Sequence, residues 1–184
     1  MFDLDAFLTD CRDAAGETEP RRAVRELLTR TVARSDAVAD ALRPKKAGIT
    51  LLHHAPDLTV LHVVWAPHMK LYAHDHRMWA VIGVYSGQED NTFFRRSGPE
   101  RRQIVESGGK ELATGDVVAL GDDTIHSVTN PGDRLTGAIH AYGGDFVNKP
   151  RSQWVPCSPE EQPYSMQATL QQFADANREW LAAQ

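Results

Sequence analysis

Hydrophobic and polar positions follow three successive patterns along the chain. Over residues 1–43, apolar side chains recur every three or four positions, which predicts helices. Gly16 ends the first helix, Pro20 begins the second, and Ser35 caps a short third one. The apolar stripes are Leu4, Phe7, Leu8 and Cys11, then Val24, Leu27, Leu28 and Val32, then Val38 and Leu42.

The middle of the chain changes to short runs rich in β-branched and aromatic residues. Turn residues separate these runs, and few helical patterns intervene, which favours an antiparallel sandwich or barrel. The predicted strands are 49–53, 59–65, 70–74, 80–86, 91–96, 103–106, 116–120, 125–130 and 135–142. The predicted turns include 55–57, 87–90, 108–109 and 130–133.

A helical pattern returns from Ser165 to the end of the chain. Its apolar stripe carries Met166, Leu170, Phe173, Asn177 and Trp180. The fold class is therefore mainly β, with N-terminal helices and a C-terminal helix packed on a barrel. Within one structural domain we assign residues 1–47 to the helical segment, 48–158 to the barrel and 159–184 to the last helix.

Composition narrows the classes of function. The net charge of −5 comes without a long basic run, so we expect no nucleic-acid partner. No apolar run is long enough for a membrane span, and the N-terminus lacks the pattern of a signal peptide. Cys11 and Cys157 are far apart and form no CxxC motif. We expect a cytoplasmic protein without structural disulfides, and make no prediction of its oligomeric state.

Three histidines are the candidate metal ligands. His74 and His76 flank Asp75, and residues two apart on a strand point to the same side. His126 lies 50 residues after His76, at the start of the strand that follows a tight turn. Neutral imidazoles are common metal ligands. Taken alone, each feature also fits a solvated strand or a buried, hydrogen-bonded histidine.

The first histidine motif is similar to that of the cupin superfamily. That motif contains two histidines in an HxH arrangement, usually a glutamate, and then a glycine. His74, His76 and Gly87 match it, but the glutamate position falls on Ala80 or Val81.

The second motif matches the same family in the same order. Gly115, His126 and Asn130 fall in register, whereas the family's proline-x-glycine turn is replaced by glycine and two aspartates at 121–123. The resemblance covers about residues 48–150. It implies the cupin double-stranded β-helix, a jelly-roll barrel, with the three histidines around one metal ion.

The missing glutamate and the neighbouring residues resemble the cysteine dioxygenases, which are thiol dioxygenases. A three-histidine site is typical of them, and Trp65 lies nine residues before His74, as a pocket tryptophan does there. In that family a serine, a histidine and a tyrosine alternate along one strand. His140 and Tyr142 match the last two and are the candidate catalytic residues, while Ala138 replaces the serine.

Two departures affect the predicted substrate. The crosslinking cysteine of the animal enzymes falls on Ala80 or Val81, and the strand upstream of Trp65 lacks the family's substrate-binding arginine. A bidentate guanidinium clamp on a carboxylate is therefore missing from that place. Arg95 or Arg151 is a candidate replacement. We assign Trp65, Ala80 and Arg95 to the substrate pocket.

The resemblance implies an iron(II) dioxygenase that acts with O₂ on a small thiol or a related small acid. Two alternatives stay open: a zinc-, nickel- or manganese-dependent cupin that acts as an isomerase, lyase or carbon–carbon-cleaving oxygenase, and a non-catalytic cupin that binds a small ligand. His53, His54 and His68 are expected at the surface or the rim of the pocket, and His53 or His54 is a candidate pocket residue. His62 alternates with apolar neighbours in a predicted strand.

Overall fold

The computed structural model describes residues 1–156, 158 and 160–182. The helices are α1 (Leu4–Ala15), α2 (Pro20–Val32), α3 (Ser35–Leu42) and α4 (Met166–Ala182), with one 3₁₀ turn at Pro99–Arg101. The strands are β1 (Gly48–His54), β2 (Thr59–Trp65), β3 (Lys70–Asp75), β4 (Ala80–Ser86), β5 (Gln88–Ser97), β6 (Gln103–Ala113), β7 (Val117–Leu120), β8 (Ile125–Thr129), β9 (Thr136–Tyr142), β10 (Ser152–Trp154) and β11 (Gln162–Pro163).

The three N-terminal helices form where the apolar periodicity predicts them. The Asp3 side chain accepts a hydrogen bond from the backbone N–H of Ala6 at the start of α1, and Gly16 is the C-cap. The predicted capping role of Ser35 is wrong. Arg34 is the N-cap of α3, Ser35 is the first helical residue, and no side chain caps this helix.

The predicted strands are present, but two predicted turns are wrong. Only Gly87 of the predicted 87–90 turn has a positive φ, of 81°, and β5 begins at Gln88. Gly108 and Gly109 lie within β6, which pairs with β5 through an irregularity at this point. The turn that connects β5 with β6 is instead at residues 98–102.

The strands form two antiparallel sheets that face each other. One sheet has the order β1-β2-β9-β4-β7 and the other β11-β10-β3-β8-β5-β6. Strands adjacent in the chain are repeatedly placed in opposite sheets, so the chain winds around one interior. The short strands β10 and β11 were not predicted. β10 lies within the predicted barrel range, and β11 extends the second sheet beyond residue 158, where we expected the barrel to end.

Side-chain alternation divides the first sheet into an interior face and a helix-covered face. On β9, Ala138, His140 and Tyr142 lie on the interior face because residues two apart share one side. Ile139 and Ala141 lie on the other face, and α1, α2 and α3 bury it. The residues between the sheet and these helices include Phe7, Cys11, Val24, Leu28, Val32, Val60 and Val81.

Helix α4 packs at the edge of the interior. The Phe173 ring stacks on Trp65 with 5.1 Å between ring centroids. The Asn177 side chain both donates to and accepts from the backbone of Ala47, at 2.8 Å in each case. Among residues 1–156, 158 and 160–182, no helix combines the length and apolar character of a membrane span. Cys157, part of the expectation on disulfides, lies outside the described residues.

The packing of α2 on β4 predicts a pair of contrasting glycine variants. A Cβ at Gly83 would lie 2.9 Å from Val32 Cγ1 and 3.3 Å from Leu28 Cδ2, whereas a Cβ at Gly48 has no atom within 4 Å. We expect Gly83→Ala to lower the free energy of unfolding by about 1–3 kcal/mol through overpacking. Gly48→Ala should be neutral or raise it slightly. Urea denaturation of both variants measures this, and equal effects would contradict the packing.

Candidate metal centre

Strands β3 and β8 bring the three histidines together. His74 is the direct cross-strand partner of His126, and His76 follows one residue after the end of β3. The Nε2 atom of His76 lies 3.2 Å from Nε2 of His74 and 3.2 Å from Nε2 of His126. All three residues are buried. The predicted candidate ligands therefore form one compact cluster.

The hydrogen bonds at the far side of two rings determine which nitrogen carries the proton. His74 Nδ1 lies 2.9 Å from the carbonyl oxygen of Tyr72, which only accepts hydrogen bonds. His126 Nδ1 lies 2.6 Å from Asn91 Oδ1. Both Nδ1 atoms therefore donate, and each Nε2 atom presents a lone pair to the cluster. Converging lone pairs repel one another without a cation, so this donor set fits a metal ion.

Burial keeps these imidazoles in the neutral form that a metal requires. Burial lowers the pKa of His74 to about 4. It also lowers the pKa of His76 and His126 well below the usual histidine range, with further lowering from the neighbouring histidines. The three side chains are therefore available as ligands at neutral pH without losing a proton first.

Among the described residues, the cluster contains no carboxylate. Ala80 lies opposite Tyr142 in the pairing of β4 and β9 and belongs to the interior core. Val81 packs on the helix-covered face. Ala80 is therefore the residue whose side chain faces the site, and its methyl group supplies neither a ligand nor a thiol for a crosslink.

His140 and Tyr142 lie beside the cluster on the interior face of β9. His140 Nδ1 is 3.1 Å from the Tyr142 hydroxyl. The Tyr142 ring meets His76 edge-on at 5.0 Å and stacks on Phe146 at 4.0 Å. Burial raises the pKa of Tyr142, so the phenol stays protonated. The structure thus brings His140 and Tyr142 next to the three histidines, while the catalytic role of this pair stays a prediction.

A buried polar pair on β5 was missed by the sequence analysis. Glu89 is completely buried, and Asn91 is 2% exposed. The Trp65 indole N–H donates to Glu89 Oε2 at 2.7 Å, and His140 Nε2 lies 3.2 Å from the same oxygen. The Asn91 amide donates to Glu89 Oε1 at 3.2 Å. The alternation of Glu89, Asn91 and Phe93 was the available signal, and the wrong turn prediction at 87–90 hid it.

The other predicted pocket residues are divided between the interior and the surface. Trp65 lines the cavity beside the histidines. Arg95 is exposed and lines a separate depression with Asp75 and Arg96, so the structure does not bring it to the cluster. Its position near the end of β5 places it beyond the closed part of the barrel. His53 and His54 do not line the cavity either.

Arg151 is the buried cation next to this cavity. Its guanidinium lies 3.9 Å from the ring centres of both Phe146 and Tyr164, which line the cavity. Nη1 donates to the Phe146 carbonyl at 2.6 Å, but Nε and Nη2 are buried and have no hydrogen-bond partner. Its charge contributes to lowering the pKa of His74 and His76. Unsatisfied buried donors of this kind require explanation.

Comparison with known proteins yields similar folds. No family model matches the sequence. BH2720 from Bacillus halodurans matches with a TM-score of 0.50 and 15% identity, over 69% of this chain and 84% of that one. An RmlC-like cupin family protein with a double-stranded β-helix fold from Methanocaldococcus jannaschii gives 0.47 and 10%, over 56% and 84%. An oxalate oxidase in complex with glycolate gives 0.41 and 14%, over 55% and 52%.

The fold is the cupin double-stranded β-helix. The prediction of this barrel from the two histidine motifs is therefore confirmed. Identities of 10–15% concern the fold alone. The chemistry of this protein must be argued from its own residues.

The cluster predicts that metal binding depends on His76. His76→Ala removes the nitrogen that lies between the other two. Because one of three ligands is lost, we expect the variant to bind roughly 90% less metal than the wild type. After anaerobic loading with Fe(II) and desalting, elemental analysis should give about one iron per wild-type chain. His68→Ala, which changes an exposed histidine paired with Asp133, is the matched control. Equal iron in both variants would contradict the assignment.

Buried neutral histidines also predict how the metal-free protein responds to acid. The pKa of His62 and His74 is lowered by burial from 6.5 to about 4, so the unfolded chain binds these protons first as the pH falls. The contribution of these two histidines to the free energy of unfolding is complete above pH 6.5. Below this pH the free energy of unfolding declines by up to about 1.4 kcal/mol per pH unit for each histidine. Urea denaturation at pH 7.5, 6 and 5 measures this. A free energy of unfolding that is constant over this range would contradict it.

Proposed function

We propose that this cupin is a mononuclear non-haem iron(II) dioxygenase that oxidises a small thiol bearing a carboxylate, or a related small acid. The observation that carries the proposal is the convergence of three neutral Nε2 atoms without a carboxylate ligand. The resemblance to cysteine dioxygenases in the HxH motif, Trp65, His140 and Tyr142 supports the same reaction. The overall change is R–SH + O₂ → R–SO₂H, which needs no further reductant.

His74, His76 and His126 would hold the metal through their Nε2 atoms. When bound, iron(II) would supply a Lewis acid that favours the thiolate form of a substrate and the redox chemistry that uses O₂. Three neutral ligands do not reduce the charge of a divalent cation, and they leave coordination positions for other groups. This cluster is therefore better suited to an anionic substrate than one that includes a glutamate.

Arg151 is our candidate for the group that binds a substrate carboxylate. Its Nε and Nη2 atoms are buried donors without a partner, and the guanidinium is held between two rings that line the cavity. Hydrogen bonds between a guanidinium and a carboxylate are charge-assisted and geometrically specific. A carboxylate there would satisfy the free donors and neutralise a buried charge. This assignment replaces Arg95 and favours the second of the two candidate arginines.

Tyr142 is our candidate for a residue that contacts the substrate beside the histidines. Its ring lies against both His76 and Phe146. Because the phenol stays protonated and its oxygen is 3.1 Å from His140 Nδ1, its hydroxyl group is a polar contact in the cavity wall. Phe146, Phe173 and the α4 helix exclude water from this part of the interior. Orientation and exclusion of water are the contributions expected from the protein around a reactive metal.

The proposal predicts a substrate preference that depends on Arg151. Protein loaded with Fe(II) should consume O₂ with 3-mercaptopropionate or cysteine, which carry a carboxylate, more efficiently than with cysteamine, which does not. In Arg151→Met we expect kcat/KM for the carboxylate thiols to fall about 10- to 100-fold, the equivalent of ~1.5–3 kcal/mol for a hydrogen bond to a charged group. The value for cysteamine should change much less, so the ratio within one variant corrects for partial loss of folding.

Arg95→Met is the matched control, because Arg95 is exposed and lies outside the cavity. It should behave as the wild type with every thiol. An iron-loaded wild type that consumes no O₂ with any thiol or small acid would overturn the proposed reaction. Full activity with zinc, nickel or manganese in place of iron would favour the alternative of a cupin enzyme with another metal.

A further inference from the structure

Glu89 is hydrogen-bonded directly to His140 and, through Asn91, is linked to the candidate metal ligand His126. It is completely buried on the interior face of β5. Trp65 and Asn91 donate to its two oxygens, and His140 Nε2 lies 3.2 Å from one of them, which is the environment of a carboxylate. Burial by itself would raise the pKa of Glu89, but these contacts lower it overall. A carboxylate only accepts hydrogen bonds. Each of its neighbours must therefore direct a donor toward it.

The first consequence concerns the metal ligand His126. Because Asn91 must direct its Nδ2 toward Glu89, its Oδ1 faces His126 Nδ1, at 2.6 Å. That oxygen is an acceptor, so Nδ1 of His126 carries the proton and Nε2 keeps its lone pair. Glu89 sets the direction of these hydrogen bonds, because the Asn91 amide can rotate to present either its oxygen or its NH₂ group to His126.

The second consequence concerns His140. Its Nε2 atom lies 3.2 Å from Glu89 Oε2 and must donate to it. In the neutral ring Nδ1 is then an acceptor, and the Tyr142 hydroxyl 3.1 Å away donates to it. The remaining lone pairs of the phenol oxygen are available to the cavity. Ala138 occupies the position that a serine has in the cysteine dioxygenases, so no hydroxyl group at residue 138 competes with Tyr142 for His140.

We infer that Glu89 is a positioning residue that sets the direction of two hydrogen-bond chains, one that keeps Nε2 of His126 free for the metal and one that orients the Tyr142 hydroxyl. The inference rests on the proposed three-histidine metal site and adds to it a residue that contacts neither metal nor substrate. A buried carboxylate would thus determine which ring nitrogen of the metal ligand carries the proton. In other metal sites, residues that hydrogen-bond to the ligands have this role.

Glu89→Gln should reverse the first chain with almost no change of shape. Trp65 can only donate, so the new amide oxygen must take the Oε2 position, where it also accepts from His140. The new NH₂ group then faces Asn91, which must turn its oxygen toward Gln. The Asn91 NH₂ group would now face His126 Nδ1 and force the proton of that ring onto Nε2, where it blocks the metal.

A second substitution should restore the original direction. In the double variant Glu89→Gln with Asn91→Asp, the amide NH₂ at position 89 donates to the new carboxylate at position 91. The other carboxylate oxygen accepts from His126 Nδ1, as Asn91 Oδ1 does in the wild type. One buried negative charge is present in both the wild type and the double variant. A loss of stability caused only by altered packing would not be reversed in this way.

The test compares Fe(II) affinity of the wild type, Glu89→Gln and the double variant by anaerobic calorimetric titration. We expect the single variant to bind Fe(II) about 10- to 100-fold more weakly, the range seen for outer-shell partners of metal ligands. The double variant should recover to within about threefold of the wild type, which is less than the smallest loss expected of the single variant. Nitrogen-15 NMR of the metal-free proteins should show His126 with its proton on Nδ1 in the wild type and on Nε2 in Glu89→Gln.

The outcomes separate this inference from the proposed metal site. An unchanged affinity and tautomer in Glu89→Gln would overturn the inference, as would a folded double variant that binds no better than the single one. If Glu89→Gln does not fold, the double variant still must fold and bind Fe(II) as the wild type does. If the wild type itself takes up no Fe(II), the metal site is wrong, while the tautomer of His126 continues to test Glu89.

Discussion

The mutual approach of three imidazole lone pairs in a buried interior is the interaction on which the rest of this structure depends. Nε2 atoms 3.2 Å apart cannot all be satisfied by one another, because two of the three rings carry their proton on the opposite nitrogen. The three side chains are buried, and their arrangement could hold a metal ion. The antiparallel pairing of β3 with β8 creates this situation by placing His74 directly opposite His126.

The barrel separates this polar centre from its stabilising core by side-chain alternation. On β9 the interior positions carry His140 and Tyr142, and the alternate positions carry Ile139 and Ala141 beneath the helices. Apolar burial against α2 therefore stabilises the same strand that presents the polar pair. A change of one residue in the register of β9 would exchange the two sets, so the position of the site and the packing of the helices are linked.

Most of the buried polar groups near the histidine cluster form hydrogen bonds, and their neighbours determine which group donates and which accepts. An unpaired buried donor or acceptor costs about 1–3 kcal/mol, and Glu89 accepts three donors, from Trp65, Asn91 and His140. Arg151 has two buried nitrogens without a partner between Phe146 and Tyr164, and Nδ1 of His76 and Oε1 of Gln172 are also unpaired. The satisfied network thus accounts for the orientation of the ligands, whereas the unsatisfied guanidinium points to a substrate group. The same rule of hydrogen-bond satisfaction supports both interpretations.

The sequence by itself predicted the helices, most of the strands, the barrel fold and the three histidines that cluster in its interior. Each follows from a local pattern: helical or alternating apolar residues, and an HxH on one strand face. Only the tertiary structure decided that Ala80 rather than Val81 faces the site, that Glu89 lies in the interior and that Arg151 rather than Arg95 is the buried cation. These depend on where strands begin, how they pair and which long-range neighbours remain unpaired, because local periodicity carries no information about contacts between distant segments.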